Sequence, residues 1–126
     1  TELLENGYTP VISPIGIDIS GQGLNLNADL VAGAIGGALN SDCVYFATDV
    51  AGIYRNWPDP DSLIGEISVE ELKEIAVNFK DGMVPKSEAV LNAVLSGAKS
   101  ARVFDGRDAT NVAAAFAGQI GTLVKP

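Results

Sequence analysis

The run Cys43-Val44-Tyr45-Phe46-Ala47-Thr48 constrains the fold more than any other stretch of the chain. It is short and continuously apolar, as expected of a strand buried on both faces of a parallel sheet. Ala101-Arg102-Val103-Phe104 reads as a second buried strand, and Gly121–Val124 as a last one. Helical text lies between these runs. A helix is expected over Ala28–Leu39, and another from Ser68 to about Asn78, where Ser68 and Glu71 form a capping-box pattern. A third runs from Pro85 to about Ser96 with Val90, Leu91, Val94 and Leu95 on one face, and a fourth covers Ala109–Ala117. Strands alternating with helices at this spacing make the class α/β.

Ahead of this alternation, Glu2–Glu5 is helix-like and is stopped by Asn6-Gly7. Thr9–Ser13 reads as an apolar strand with Pro10 at its start, where proline is tolerated. Ile15–Ile19 and Leu24–Leu26 flank Ser20-Gly21-Gln22-Gly23 as a small hairpin. Arg55–Ser62 is a turn-rich excursion containing Trp57-Pro58-Asp59-Pro60-Asp61.

The 126 residues are expected to form a single domain, and 47% apolar with 19% charged residues is a globular composition. No apolar run approaches the ~20 residues of a membrane span, and nothing resembles a signal peptide. One cysteine, Cys43, excludes an internal disulfide framework and fits a reducing cytoplasm. A net charge of −8 argues against a nucleic-acid surface. An anionic ligand therefore needs a local cationic or backbone-amide site that works against the global field. The chain has no histidine, which removes histidine triads, His-ligated zinc and imidazole bases together.

Asn25-Leu26-Asn27-Ala28-Asp29 sets three polar side chains at the mouth of an apolar helix. Asn27 as N-cap and Asp29 as partner of the helix dipole account for two of them, worth roughly 1–2 kcal/mol. Lys86 is placed in the first turn of the next long helix, after Pro85 at the first helical position. A cation there opposes the dipole at roughly 0.3–1 kcal/mol, while free amides make the same end an anion site. A phosphate is the natural guest, and Gly82 upstream permits close backbone approach. Near a phosphate, Asp29 would position lysines or a magnesium ion, since phosphoryl transfer needs positioning and charge neutralisation above all. Asn25 and Asn27 could hold a carboxyl or amide of a small substrate. Thr48, Asp49 and Gly52, at a strand's carboxyl end, stand where open α/β sheets bind ligands. Tyr54 and Trp57 either stack on a base or pack the excursion. Arg102 and Arg107 are expected in surface ion pairs with Asp105 or Asp108, and Cys43 reads as core.

Taken in order, Gly7-Tyr8-Thr9-Pro10-Val11-Ile12-Ser13-Pro14-Ile15-Gly16, Asn25–Asp29, Thr48-Asp49-Val50-Ala51-Gly52-Ile53-Tyr54, Gly82-Met83-Val84-Pro85-Lys86 and Asp105-Gly106-Arg107 resemble the C-terminal half of the N-acetylglutamate kinases. The likeness is strongest to actinobacterial versions, which carry a similar Asn-Trp-Pro-Asp excursion. The resemblance implies a three-layer α/β/α sandwich with a mainly parallel sheet. It implies transfer of the γ-phosphate of ATP, with Mg2+ carried on the phosphates, to the γ-carboxylate of N-acetyl-L-glutamate in arginine biosynthesis. Asn25, with Asn27, would contact the acetylglutamate, Asp29 would hold catalytic lysines, and Lys86 would stabilise the transferring phosphoryl group. Thr48, Asp49, Gly52 and Tyr54, with Gly82 and Met83, would hold ATP. The family is homo-oligomeric.

The family's N-terminal half, with its glycine-rich phosphate loop and second lysine, has no counterpart here, so residues 1–126 are expected to be the nucleotide-binding half, inactive alone. Arginine-inhibited members carry a histidine after Asp-Gly-Arg and a Glu-Gly pair near the end. Asp108-Ala109-Thr110-Asn111 and Ala117–Thr122 depart from both, which counts against arginine feedback. Two other readings stay open: a sister amino-acid kinase with another substrate, and a non-catalytic nucleotide-binding module.

Overall fold

The computed structural model describes residues 1–80 and 82–126; Asp81, in the stretch leading to Lys86, lies outside them. In chain order the elements are α1 (Glu2–Glu5), β1 (Ile15–Ile17), β2 (Gly23–Asn25), α2 (Ala28–Ala38), β3 (Val44–Thr48), a 3-10 turn (Pro60–Ser62), β4 (Glu66–Ser68), α3 (Val69–Ala76), α4 (Met83–Leu95), β5 (Ala101–Asp105), α5 (Ala109–Phe116) and β6 (Thr122–Lys125). The main sheet has the order β3-β5-β6-β4. β3 pairs parallel with β5, and β4 parallel with β6, while β5 and β6 meet antiparallel. The sheet is thus mainly parallel, as expected. β1 and β2 form a separate antiparallel hairpin.

Strand alternation sorts the side chains into layers. Val44 and Phe46 of β3 and Ala101 and Val103 of β5 join Val90, Ala93 and Val94 of α4 in the core. Tyr45, Arg102 and Phe104 point to the other face, where Tyr45 stacks on Phe116 of α5 with ring centroids 4.2 Å apart. Helices cover both faces, giving the expected sandwich. That alternation also corrects the reading of Arg102. It is buried, and its guanidinium donates to the Ile120 carbonyl at 2.7 Å instead of joining a surface ion pair.

Two further expectations change. Thr9–Ser13 forms no strand among the described residues. Pro10 and Pro14 lack N–H donors, and Val11 stands 97% exposed with no neighbouring strand to pair it. β4, only three residues long, was not visible as a strand; it pairs through Glu66–Ser68 and then hands its last residue to α3 as N-cap, with the Glu71 amide donating to Ser68 Oγ at 3.1 Å. Helix α4 also starts two residues before the expected Pro85, so its buried side is Met83, Ser87, Ala89, Val90, Ala93 and Val94, and Leu95 is exposed. Proline at the third position is acceptable because the first-turn amides have no intrahelical acceptor.

α2 lies directly on α4. A Cβ on Gly33 would sit 3.1 Å from the Ala89 carbonyl oxygen, and one on Gly37 would lie 2.5 Å from Ser96 Cβ and 2.9 Å from its carbonyl carbon. Gly33 opposite Ala89–Ala93 and Gly37 opposite Ser96 mean that the two helices run the same way. Gly37→Ala gains helix propensity of about 1 kcal/mol but forces backbone apart, so a net destabilisation of about 1–2 kcal/mol is expected. Urea unfolding measures it; a raised midpoint would show that the crossing yields.

Candidate functional site

β3 and β5 run parallel, and α4 leads back into β5, so α4 begins at the edge where both strands end. Because α2 runs with α4, its N-terminus opens toward the same edge. Two positive helix ends and two strand carboxyl ends therefore share one rim. The caps differ. Asn27 Oδ1 accepts from the Asp29 and Leu30 amides at 3.0 and 3.1 Å, Ser68 caps α3, and Asp108 caps α5. α4, the longest helix, begins at Gly82 with no side-chain cap and no acidic residue in its first turn among the described residues. Its first amide, that of Met83, donates to the Lys80 carbonyl at 3.3 Å, and the first-turn amides that follow have no acceptor within the helix.

Lys86 stands beside that opening. Its side chain is only 16% exposed, and its Nζ lies 3.2 Å from Asp49 Oδ1, one residue past β3. Lys86 and Arg107 both hold the Asp49 carboxyl below its usual range: first the hydrogen bond from Lys86, then its own backbone amide, then the two positive charges. The Gly106 amide donates to the Thr48 carbonyl at 2.9 Å, and Thr48 Oγ1 donates to the Phe104 carbonyl at 3.3 Å. These bonds tie the end of β3 to that of β5. Just past it, Arg107 grips Asp105 with Nε and Nη2 at 2.9 and 2.6 Å. That fork, with the Arg107 amide, lowers the Asp105 carboxyl to about 2. Lys86, Asp49, Arg107 and Asp105 thus alternate in sign along the rim.

On the other side of α4's start lies a cavity of about 280 Å³ between Arg55 and Trp57 of the excursion and Asn78, Phe79, Lys80 and Met83. Tyr54 is buried and meets Trp57 edge-on with centroids 5.0 Å apart, so it packs the excursion while Trp57 remains half-exposed at the cavity. Arg55 is held by Glu71. The loop between the rim and the excursion is pinned by Thr122: the Ile53 amide donates to its Oγ1 at 2.8 Å, and that hydroxyl donates to the Ile64 carbonyl at 2.5 Å. Gly52 lies so close to Thr122 that a Cβ would overlap its hydroxyl.

The structure therefore gathers Thr48, Asp49, Gly52, Gly82, Met83 and Lys86 at one end of the molecule. Asp29 opens α2 on the same rim, and it makes no ion pair among the described residues; Lys86 is paired with Asp49 instead. Asn25 is exposed on β2 opposite Ile15, and Asn27 has its carbonyl oxygen committed to the cap, with its amide N–H groups left over. Sequence reasoning passed over Asp105 and Arg107 as site residues. The signal was available, since they follow a buried strand as Thr48-Asp49 do.

An open α/β sheet whose parallel strands end beside helix N-termini and a lysine is the kind of rim at which α/β folds can hold anionic ligands. The amino acid kinase family model matches residues 1–105, and the chain belongs to that family. It is 44% identical over 128 residues to an acetylglutamate kinase of Salinispora tropica, covering all of this chain and 43% of that protein. It is 47% identical over 108 residues to the acetylglutamate kinase of Methanosphaera stadtmanae, covering 84% of this chain and 36% of that one. A crystal structure of N-acetylglutamate synthase from Neisseria gonorrhoeae, complexed with coenzyme A and L-arginine, superposes with a TM-score of 0.83 at 21% identity, over 98% of this chain and 29% of that one. The chain spans about two fifths of the curated relatives it matches.

Thr122→Val leaves the Ile53 amide and the Ile64 carbonyl without their buried partner, for an expected loss of about 1–3 kcal/mol in chemical denaturation. A loss below that range would mean the loop finds other partners. The Asp105 carboxyl, depressed in the folded state, favours folding above its ordinary 3.8 and loses that contribution as pH falls toward about 2. Carbon-detected NMR should find it titrating near 2, and in Arg107→Gln returning toward 3.8.

Proposed function

We propose that this chain is the ATP-binding half of an acetylglutamate kinase, which phosphorylates the γ-carboxylate of N-acetyl-L-glutamate for arginine biosynthesis in the cytoplasm. The observation that carries the reading is the start of α4, without a side-chain cap among the described residues, with Lys86 beside it at the ends of β3 and β5. First-turn amides without an acceptor inside the helix and an ammonium at one helix end suit the β- and γ-phosphates of a nucleotide. The cavity past Met83, with Trp57, Lys80 and Arg55 at its walls, suits the base and ribose.

In this reading Lys86 leaves Asp49 for the phosphoryl group and neutralises charge as it transfers. Mg2+ arrives with ATP, held chiefly through the phosphates. Asp29, in the first turn of α2, positions cationic groups, and Asn25 with the free amide of Asn27 holds the acyl amino acid. The nucleophile is the substrate's own carboxylate, so the absence of histidine from the chain is no obstacle.

The rest of the substrate site belongs to an N-terminal half, which the reading takes to be the remainder of the relatives' length. The exposed side chains of Ile12, Ile15, Ile17 and Ile19, each at least 60% accessible, support that division, because a self-sufficient domain rarely leaves such a set in water. The expected outcome is Mg-ATP binding by this chain in calorimetry, weakened about tenfold or more by Lys86→Ala. Phosphoryl transfer to acetylglutamate is expected only after the N-terminal half of a relative is added. Folded chain without Mg-ATP binding would defeat the reading.

A further inference from the structure

Lys86 Nζ has three donors and meets Asp49 Oδ1 at 3.2 Å; a phosphate that drew the ammonium away would leave the Asp49 carboxylate in need of another partner. It lies on the rim of an acidic chain, and left unpaired it would repel the incoming polyphosphate. Two elements face it with charge: α4 through Lys86, and the turn after β5 through Arg107, with Asp105 behind it. Backbone bonds fix the second of these. Thr48 pairs with Asp105 in register, and the Gly106 amide donates to the Thr48 carbonyl, so Arg107 and Asp49 are neighbours wherever their side chains turn. Gly106 itself cannot carry a Cβ without striking Ala47, so the turn has little room to drift.

Resting on the nucleotide reading of this rim, we propose that Arg107 is a positioning residue: it takes over the Asp49 carboxylate when an anionic ligand draws Lys86 away. The side chain is suited to this. It is largely exposed, and its guanidinium has five donors, of which Asp105 engages two. Asp105 tethers it within reach through the remaining fork. Lys86 is then released toward the phosphates without leaving a bare carboxylate beside them. The positive charge of Arg107 already helps to hold the Asp49 carboxyl low, after the larger effect of Lys86, which agrees with this.

The hand-over can be read without any ligand. Lys86→Met imitates the departed lysine, and the Asp49 side-chain carboxyl is followed by carbon NMR against pH. Its midpoint should rise on Lys86→Met and rise further in Lys86→Met/Arg107→Gln; identical midpoints in these two would overturn the proposal. With Mg-ATP, Arg107→Gln should weaken affinity about two- to fivefold when Asp49 is present and leave it unchanged in an Asp49→Asn background, with Arg107→Lys restoring most of the loss. Weakening of equal size in both backgrounds would mean that Arg107 touches the phosphates directly, and would overturn the hand-over. A purely structural role would move the melting temperature without that dependence on Asp49. Should the unaltered chain fail to bind Mg-ATP, the nucleotide reading falls, while the carboxyl titration still decides whether Arg107 succeeds Lys86 at Asp49.

Discussion

The close crossing of α2 over α4 governs the arrangement of everything functional in this chain. Gly33 and Gly37 remove the side chains that would hold the helices apart, and Gly97 lets the turn after α4 pass under the Gly37 carbonyl. Glycine inside a helix costs about 1 kcal/mol against alanine, so α2 is weak as an isolated helix and depends on this packing. In return the helices align in the same direction, and their N-termini meet the carboxyl ends of β3 and β5. Had α2 crossed in the other sense, Asp29 would lie at the far end of the sheet from Lys86.

Electrostatics on the rim then solves a problem set by composition. A chain of net charge −8 repels a polyphosphate at long range. Under the proposed function the local answer is short-range: the first-turn amides of α4 beyond Met83, the ammonium of a lysine whose stem is buried, and an arginine folded onto a neighbouring carboxylate. Lys86 and Arg107 are each paired, by Asp49 and by Asp105. Pairing keeps the cations in place without an uncompensated positive cluster. In the proposed function, a ligand that draws Lys86 away exchanges one counter-ion for another, and its affinity then depends on what becomes of the displaced carboxylate.

Much of this was legible in the sequence because the relevant signals are local. Cys43–Thr48 and Ala101–Phe104 announced buried strands by continuous apolarity, and Ser68 with Glu71 announced a helix start that the structure places there. Asn27 was readable as a cap for the same reason. What escaped depends on partners distant in the chain. β4 is three residues long and is a strand only because β6 lies beside it. Thr9–Ser13 has the composition of a strand and lacks a neighbour to pair with. Arg102 looked like a surface cation, yet strand alternation turns it beneath the turn after α5, where the Ile120 carbonyl receives it. The start of α4 was misplaced because proline favours the first helical position, whereas the helix begins at Met83 and merely tolerates Pro85 in its first turn.

The same distinction explains why Asp49 and Lys86 were both singled out while their pairing was not. Each is marked by its own segment, one by a strand end and the other by a helix start. That they meet follows from β3 and β5 being parallel neighbours, since only then does the helix leading into β5 begin over the end of β3. Parallel pairing also brings the turn after β5 level with the turn after β3, so Arg107 reaches the same rim by the same constraint. Four charged residues from three separate stretches thus converge through one strand register. A one-residue slip in that register would turn Thr48 and Asp105 to opposite faces and disperse the cluster. The buried alternation of Val44 and Phe46 against Ala101 and Val103, which makes such a slip costly in the core, is therefore also what keeps the rim assembled.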